Sequence, residues 1–334
     1  MWPAQMATSF DSGSGELSVA LATALDRCLR VRADEDLLVV AETTCAALAE
    51  HVRVEGVRLG ARASAVVSSL RAQYEPPPSI AAALGACDVF FVLTDGSSIS
   101  HTRARARASA AGARGVGVTS ESGEAGPLCR LLGADLGAVA RRSDALAELL
   151  TQAKVASITC PRGTALELDL VGGNGVSDNG DFSAPGAYGN LPFGEAFVVP
   201  VGGSGRLVPS TVAGMGRVGS DTALEIHAGA LVDGSGPDGR ALAEKLRAHG
   251  PPGLNVAELG VGTNERARLS GSVVEDEKML GSVHVAFGAS AAIGGSVVAD
   301  THVDCVVPDV SLLLDGEPIL QDGRLLLDTP VRAR

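Results

Sequence analysis
The sequence predicts two domains, an α/β domain with a parallel sheet over residues 1–154 and a mainly antiparallel α+β domain over residues 155–334. Three observations carry this prediction. Short apolar runs alternate with helix-period segments up to about residue 150. The pattern then changes, between about 150 and 158, to strands of alternating polarity. Turn signals crowd into the second part, as in "GGNGVSDNGDFSAPGAYGN", "VGGSG", "VDGSGPDG" and "QDGR". Strands that alternate with helices make a parallel sheet covered on both faces, whereas short alternating strands joined by glycine turns pair antiparallel.

The elements follow in order. "ELSVALATALDRCLRV" (Glu16 to Val31) has helical apolar spacing, and "DLLVVAE" is a buried strand. "TCAALAEHVRVEGVRLGA" predicts a second helix and "RASAVVSSL" a second strand. The prolines of "EPPPSIAAALGA" suit a loop and the first turn of a helix. "CDVFFVLT" is a third strand, "HTRARARASAAGA" a helix and "RGVGVT" a fourth strand. Arg103, Arg105 and Arg107 read as the solvated start of that helix. In the second part "ASITCPRGTALELDLVGG" and "ALEIHAGALV" alternate as half-exposed strands, and "DGRALAEKLRAHG" is a helix. Gly281 to Gly288 is read as the start of a further helix.

Composition excludes several functions. With 27 basic against 39 acidic side chains the chain carries −12, the wrong sign for a nucleic-acid groove. No apolar run reaches the length of a membrane span. The start lacks a basic segment followed by an apolar one, and the six cysteines show no paired spacing. Reduced thiols and a cytoplasmic location are therefore expected. "GMGRVG" fits a dinucleotide fingerprint in letters only, because no strand–helix unit surrounds it.

The chemistry-bearing residues gather in the second part. His302 and Asp304 stand two apart, so in a strand they share a face. His284 lies upstream and reaches them if the chain doubles back, which Gly294 and Gly295 permit. Two imidazoles and a carboxylate are a minimal divalent-metal site; ordinary core or edge histidines are the other reading. Glu258 ends an apolar strand in "VAELGVGTN", and Glu195 opens another in "NLPFGEAFVVP". A carboxylate beside an apolar strand end is costly unless it is paired or metal-bound. Three carboxylates and two imidazoles suit two metals with shared ligands. In "VVEDEKML" the acids Glu275, Asp276 and Glu277 are either solvated or, for Glu277, near the metals as a base. On this reading the second domain is a metal-binding α+β domain.

"NLPFGEAFVVP", "AELGVGTN", "EDEKMLGSVHVAFG" and "THVD", in this order, resemble the aminopeptidase T family of metallopeptidases. The resemblance implies two divalent ions (zinc, cobalt or manganese) held by Glu195, Glu258, His284, His302 and Asp304. It also implies a metal-activated water, release of N-terminal residues and a homodimer with enclosed active sites; on the hydrolase reading a nearby carboxylate such as Glu277 takes the water's proton, and the substrate is a peptide or small amide. Ala291 stands where the peptidases carry a tyrosine. "EDEK", "HVAFG" and "HVD" are also similar to a side branch that includes 2,5-dihydroxypyridine 5,6-dioxygenase, a mononuclear iron(II) enzyme. That branch implies iron(II) at His284, His302 and Asp304, a small hydroxylated heteroaromatic substrate, and an acid/base histidine matched here by His101 in "SISHTRAR". Three readings result: a metal-dependent hydrolase as the first, a ring-cleaving dioxygenase as the alternative, and an inactive binding protein on the same scaffold as the third.

Overall fold
The computed structural model describes residues 14–70, 75–95, 99, 102–120 and 123–327. Internal contacts divide the chain into two units. One runs to Leu132 and takes in Asp181–Leu191; the other holds Gly133–Gly180 and the chain from Pro192 onward.

The strands of the first unit are β1 (Asp36–Ala41), β2 (Arg62–Val67), β3 (Val89–Thr94) and β4 (Arg114–Thr119). The chain then passes through β5 (Val155–Thr159), β6 (Ala165–Asp169) and β7 (Val176–Asp178) of the second unit and returns as β8 (Tyr188–Leu191). The five strands are parallel in the order β2-β1-β3-β4-β8. β3 is buried along its whole length, as a central parallel strand must be, and β2 at the edge is mostly exposed. The helices α1 (Ser14–Ala22), α2 (Ala46–Arg58), α3 (Pro78–Leu84), α4 (Arg103–Ala110) and α5 (Gly126–Leu132) accompany this sheet. Thr102 caps α4 by accepting a hydrogen bond from the Arg105 N–H. Buried Arg114 donates to the carbonyl oxygens of Leu29 and Arg30 and to Glu35, which ties β4 to the segment before β1.

The second unit starts with α6 (Leu136–Gln152), capped by the Asp135 carboxylate. The sequence boundary near residue 154 puts this helix in the first domain; the structure groups it with the second unit, because its apolar stripe packs on β7 and β9 (Glu195–Val198). After β9 come β10 (Gly202–Leu207), β11 (Thr211–Val212), β12 (Gly216–Arg217), β13 (Ala223–His227) and β14 (Ala230–Ser235). Next are α7 (Gly236–Arg247), β15 (Val256–Gly262) and the short α8 (Val273–Asp276). The chain ends with β16 (Val283–Gly288), β17 (His302–Val307), β18 (Ser311–Leu314), β19 (Glu317–Gln321) and β20 (Arg324–Leu325).

These strands form two antiparallel sheets, β12-β11-β17-β16-β15-β9-β7 and β14-β13-β10-β6-β5-β18-β19-β20. Both sheets contribute to one continuous core, with Ile158, Leu168, Leu224 and Leu312 from one and Val198, Leu259, Val285, Phe287 and Cys305 from the other. The helix expected from Gly281 is instead strand β16. Val283, Val285 and Phe287 alternate with Ser282, His284 and Ala286, and period two with β-branched residues wins over glycine as a helix boundary. No helix among the described residues is long and apolar enough to cross a membrane. No disulfide joins the six cysteines.

Phe287 is fully buried in the shared core, one strand position from the row that carries Glu258 and Asp304. Phe287→Ala is expected to lower the unfolding free energy by about 3–5 kcal/mol, read by urea denaturation. A loss under about 1 kcal/mol would mean that the two sheets do not share a close-packed core.

Candidate metal centre
In β9, β15, β16 and β17 alternate residues face the shared core, so the residues between them face the other way. Glu195, Glu258, His284, His302 and Asp304 all occupy those other positions. Register brings them into neighbouring rows. Asp178, Glu195 and Gly262 pair across one row, Phe197, Gly260, His284 and Val306 across the next, and Glu258, Ala286 and Asp304 across the third. Gly288 pairs with His302 in the fourth.

Two glycines make this face passable. A Cβ on Gly260 would lie 2.1 Å from both Cε1 and Nε2 of His284, so the imidazole lies across bare backbone. A Cβ on Gly262 would meet the carbonyl oxygens of Met279 at 2.1 Å and Glu277 at 2.8 Å. The turn after α8 therefore rests directly on β15, which holds Glu277 and Lys278 over the sheet.

Two sets of ligand atoms result, and Glu258 belongs to both. The inner set is Glu195, Glu258 and His284, all buried. His284 Nε2 lies 3.4 Å from Glu195 Oε2 and 3.4 Å from Glu258 Oε1. The outer set is Glu258, His302 and Asp304. His302 Nε2 lies 3.3 Å from Glu258 Oε2 and 3.4 Å from Asp304 Oδ1. The His302 side chain is 30% exposed, so this set is the open side of the site. His284 does not share a three-residue set with His302 and Asp304; Glu258 links them through its two oxygens.

The residues fit a divalent ion. Two ligands about 2.1 Å from one ion lie about 3.4 Å apart at a tetrahedral angle. The observed nitrogen–oxygen separations match that spacing, and they exceed the ~2.8 Å of a direct charge-assisted hydrogen bond. His302 Nδ1 donates to the Ala289 carbonyl oxygen at 2.7 Å, so Nε2 is the nitrogen turned to the carboxylates, and it can bind an ion once it gives up its proton. Glu195 Oε2 and His284 Nδ1 are buried without a hydrogen-bond partner.

The sequence did not flag Lys278 and Asp178. Buried Lys278 Nζ lies 2.5 Å from Glu195 Oε1, 3.1 Å from Glu277 Oε1 and 3.5 Å from Asp178 Oδ2. The apolar "MLGSVHV" after Lys278 was a usable signal that this lysine is buried; Asp178, in a turn-rich stretch, offered none. Of the three adjacent acids, Glu277 faces the ammonium, while Glu275 and Asp276 turn into structure. Asp276 accepts from the Thr211 hydroxyl and the Ser270 and Gly271 N–H groups, and Glu275 accepts from the Arg268 N–H. Ala291 begins an exposed single helical turn, Ala291–Ile293. His101 lies outside the described residues.

The charges are strongly coupled. Burial alone would keep both imidazoles neutral, but Glu195 and Glu258 push His284 up to about 9, and Asp304 and Glu258 push His302 up to about 12. Burial would raise Asp304, and the His302 imidazolium overrides it and holds the carboxyl near 2. Glu258 is likewise lowered against its burial by His284 and His302. Burial drives Glu277 and Asp178 up to about 7, with Lys278 opposing the rise. Lys278 is held well above its usual value by Glu195, Glu277 and Asp178, against burial.

With this geometry in place, comparison with known proteins gives three findings. A family model described as 2,5-dihydroxypyridine 5,6-dioxygenase matches residues 30–327. No curated protein matches the chain. Among solved structures the fold is similar to 2,5-dihydroxypyridine dioxygenase from Pseudomonas putida KT2440, with a TM-score of 0.79 at 18% identity over 95% of this chain and 98% of that one. It is also similar to wild-type AmpT from Thermus thermophilus, with a TM-score of 0.65 at 15% identity over 95% of this chain and 100% of that one. At these identities the structural likeness speaks for the fold.

Two outcomes follow for the site. Gly260→Ala is expected to cost about 1–3 kcal/mol in urea unfolding, because His284 must leave its place. A change within about 0.5 kcal/mol would show that the ring does not need the bare backbone. Because both imidazoles hold protons at neutral pH in the metal-free site, a divalent ion must displace them. Metal affinity should therefore rise with pH through 7 and on beyond 9, because His302 keeps its proton up to about 12, with about one to two protons released per ion at pH 7. Calorimetry in two buffers of different ionisation heat reads this, and binding with no proton release would contradict it.

Proposed function
Because the chain belongs to the 2,5-dihydroxypyridine 5,6-dioxygenase family, we propose that it is an iron(II)-dependent dioxygenase that opens a small hydroxylated heteroaromatic ring. The observation that carries the reading at the site is the outer set: one imidazole and two carboxylates, on the open side, with His284 joined to the same Glu258. Non-haem iron(II) oxygenases use two imidazoles and one carboxylate with open positions, and His302, Asp304 and the neighbouring His284 are ligands of those types. Iron(II), when bound, supplies positions for O₂ and a ring hydroxyl and a route for electrons between them.

The overall reaction balances without another reductant. One ring carbon–carbon bond breaks, each of its carbons gains one oxygen atom, and the four electrons lost by the ring reduce O₂. The chain's own groups handle position and protons. The Ala289 carbonyl oxygen fixes the His302 tautomer, and Asp304 and Glu258 orient the ring. Glu277, held near 7 by burial against the pull of Lys278, is proposed to exchange a proton at neutral pH. His101 is proposed as the acid/base partner on the substrate.

A two-metal hydrolase is the second reading. It is favoured by the two ligand sets and by Glu258 turning a different oxygen to each. The family match and Ala291 at the tyrosine position weigh toward the dioxygenase.

Protein purified anaerobically without a His-tag should carry about one iron per chain by mass spectrometry. With hydroxypyridines it should consume O₂ in step with loss of ring absorbance. His302→Ala should lower turnover by about 10²-fold or more, and His101→Ala by about 10²–10⁴-fold with iron retained. Turnover that persists without O₂, or peptide cleavage with two zinc or manganese ions bound, would overturn the reading.

A further inference from the structure
Away from the metal centre, a second group of oxygens lies where the chain crosses between the two antiparallel sheets. β12 leaves the seven-stranded sheet at Arg217, and β13 enters the eight-stranded sheet at Ala223. In the turn between them a Cβ on Gly219 would lie 2.7 Å from Asp221 Oδ1, 3.6 Å from Asp238 Oδ2 and 3.9 Å from Thr222 Oγ1. Asp238 belongs to the first turn of α7, and its Oδ2 also accepts from the Gly219 N–H at 2.8 Å. Oxygens from the turn and from the helix thus converge beside a residue that has no side chain. Two acids at a helix start have an ordinary use, since they answer the positive end of its dipole. Thr222 has no part in that use. It is 1% exposed, and its hydroxyl has no hydrogen-bond partner among the described residues. A buried hydroxyl left unpaired is costly, and a ligand shared with the two carboxylates would remove that cost.

We propose that Asp221, Thr222 and Asp238 bind a calcium ion that fastens the sheet crossover to the start of α7. All three donors are oxygens and two are carboxylates, the donor set of a hard cation. Calcium accepts an irregular mixture of carboxylate, hydroxyl and water oxygens, which suits ligands from a turn and a helix better than the strict octahedron of magnesium does. With two carboxylates the affinity belongs to the weak range, a Kd of ~10⁻⁴–10⁻³ M. These residues lie outside both ligand sets of the metal centre, so the ion has a structural role and is independent of the reaction proposed above.

The test is thermal unfolding of the full chain with and without about 10 mM Ca²⁺. Calcium should raise the Tm of the native chain by about 2–5 °C or more. Asp221→Asn and Thr222→Val should each lose most of that rise. Calcium held at the metal centre would raise all three chains alike, so the difference between native and variant is what decides. Without calcium, Thr222→Val should be at least as stable as the native chain, because it removes the unpaired hydroxyl. A response in Asp221→Asn or Thr222→Val equal to that of the native chain would overturn the proposal. Anomalous scattering at long wavelength, from native crystals grown with Ca²⁺, needs no variant to fold. It should show a peak about 2.3–2.6 Å from oxygens of Asp221 and Asp238. No peak there would overturn the proposal as well.

Discussion
The two-residue period of one antiparallel sheet is the constraint on which the site depends. On β9, β15, β16 and β17 one face supplies Val198, Leu259, Val285, Phe287 and Cys305 to a core shared with the second sheet. Hydrophobic burial there fixes the register, because a slip by one residue would put the charged row into the core. Every other residue is then committed to the opposite face, where Glu195, Glu258, His284, His302 and Asp304 stand. The apolar core thus holds the polar site in place, although the two touch only through the strands that carry both.

The opposite face concentrates charge that must be answered. Five carboxylates, those of Asp178, Glu195, Glu258, Glu277 and Asp304, surround two imidazoles and one ammonium. Without a metal, protons on His284 and His302 answer part of it, which is why both imidazoles are raised far above their ordinary range. The same nitrogens and oxygens accept an ion in place of those protons. Lys278 is a permanent answer that no change near neutral pH removes. Proton, metal ion and lysine are three cations that meet one need.

Much of this was legible in the sequence. Short apolar runs marked β1, β3 and β4, and the His302–Asp304 spacing put both side chains on one face of β17. Glu195 and Glu258 stood out because acids at the ends of apolar strands need partners. The Val283–Val285–Phe287 alternation in Gly281–Gly288 marks a strand, which the helix reading of that stretch overlooked. The grouping of α6 with the second unit and the return of β8 to the first sheet depend on long-range packing that no local pattern encodes. Asp178 was missed for the same reason, since it acquires meaning from Glu195, 17 positions away, whereas the apolar run after Lys278 did mark its burial and only its partner Glu195, 83 positions away, was hidden. The ordered motifs pointed first to a hydrolase, whereas the family match favours the oxygenase branch.

The central proposal is that the charged face of the sheet, with Glu258, His284, His302 and Asp304, is the centre that holds one iron ion. Anomalous X-ray scattering at the iron edge, from crystals grown without oxygen, tests it most directly. The account predicts one peak per chain, beside His302 Nε2 and Asp304 Oδ1. A second peak, bounded by Glu195, Glu258 and His284, would contradict it.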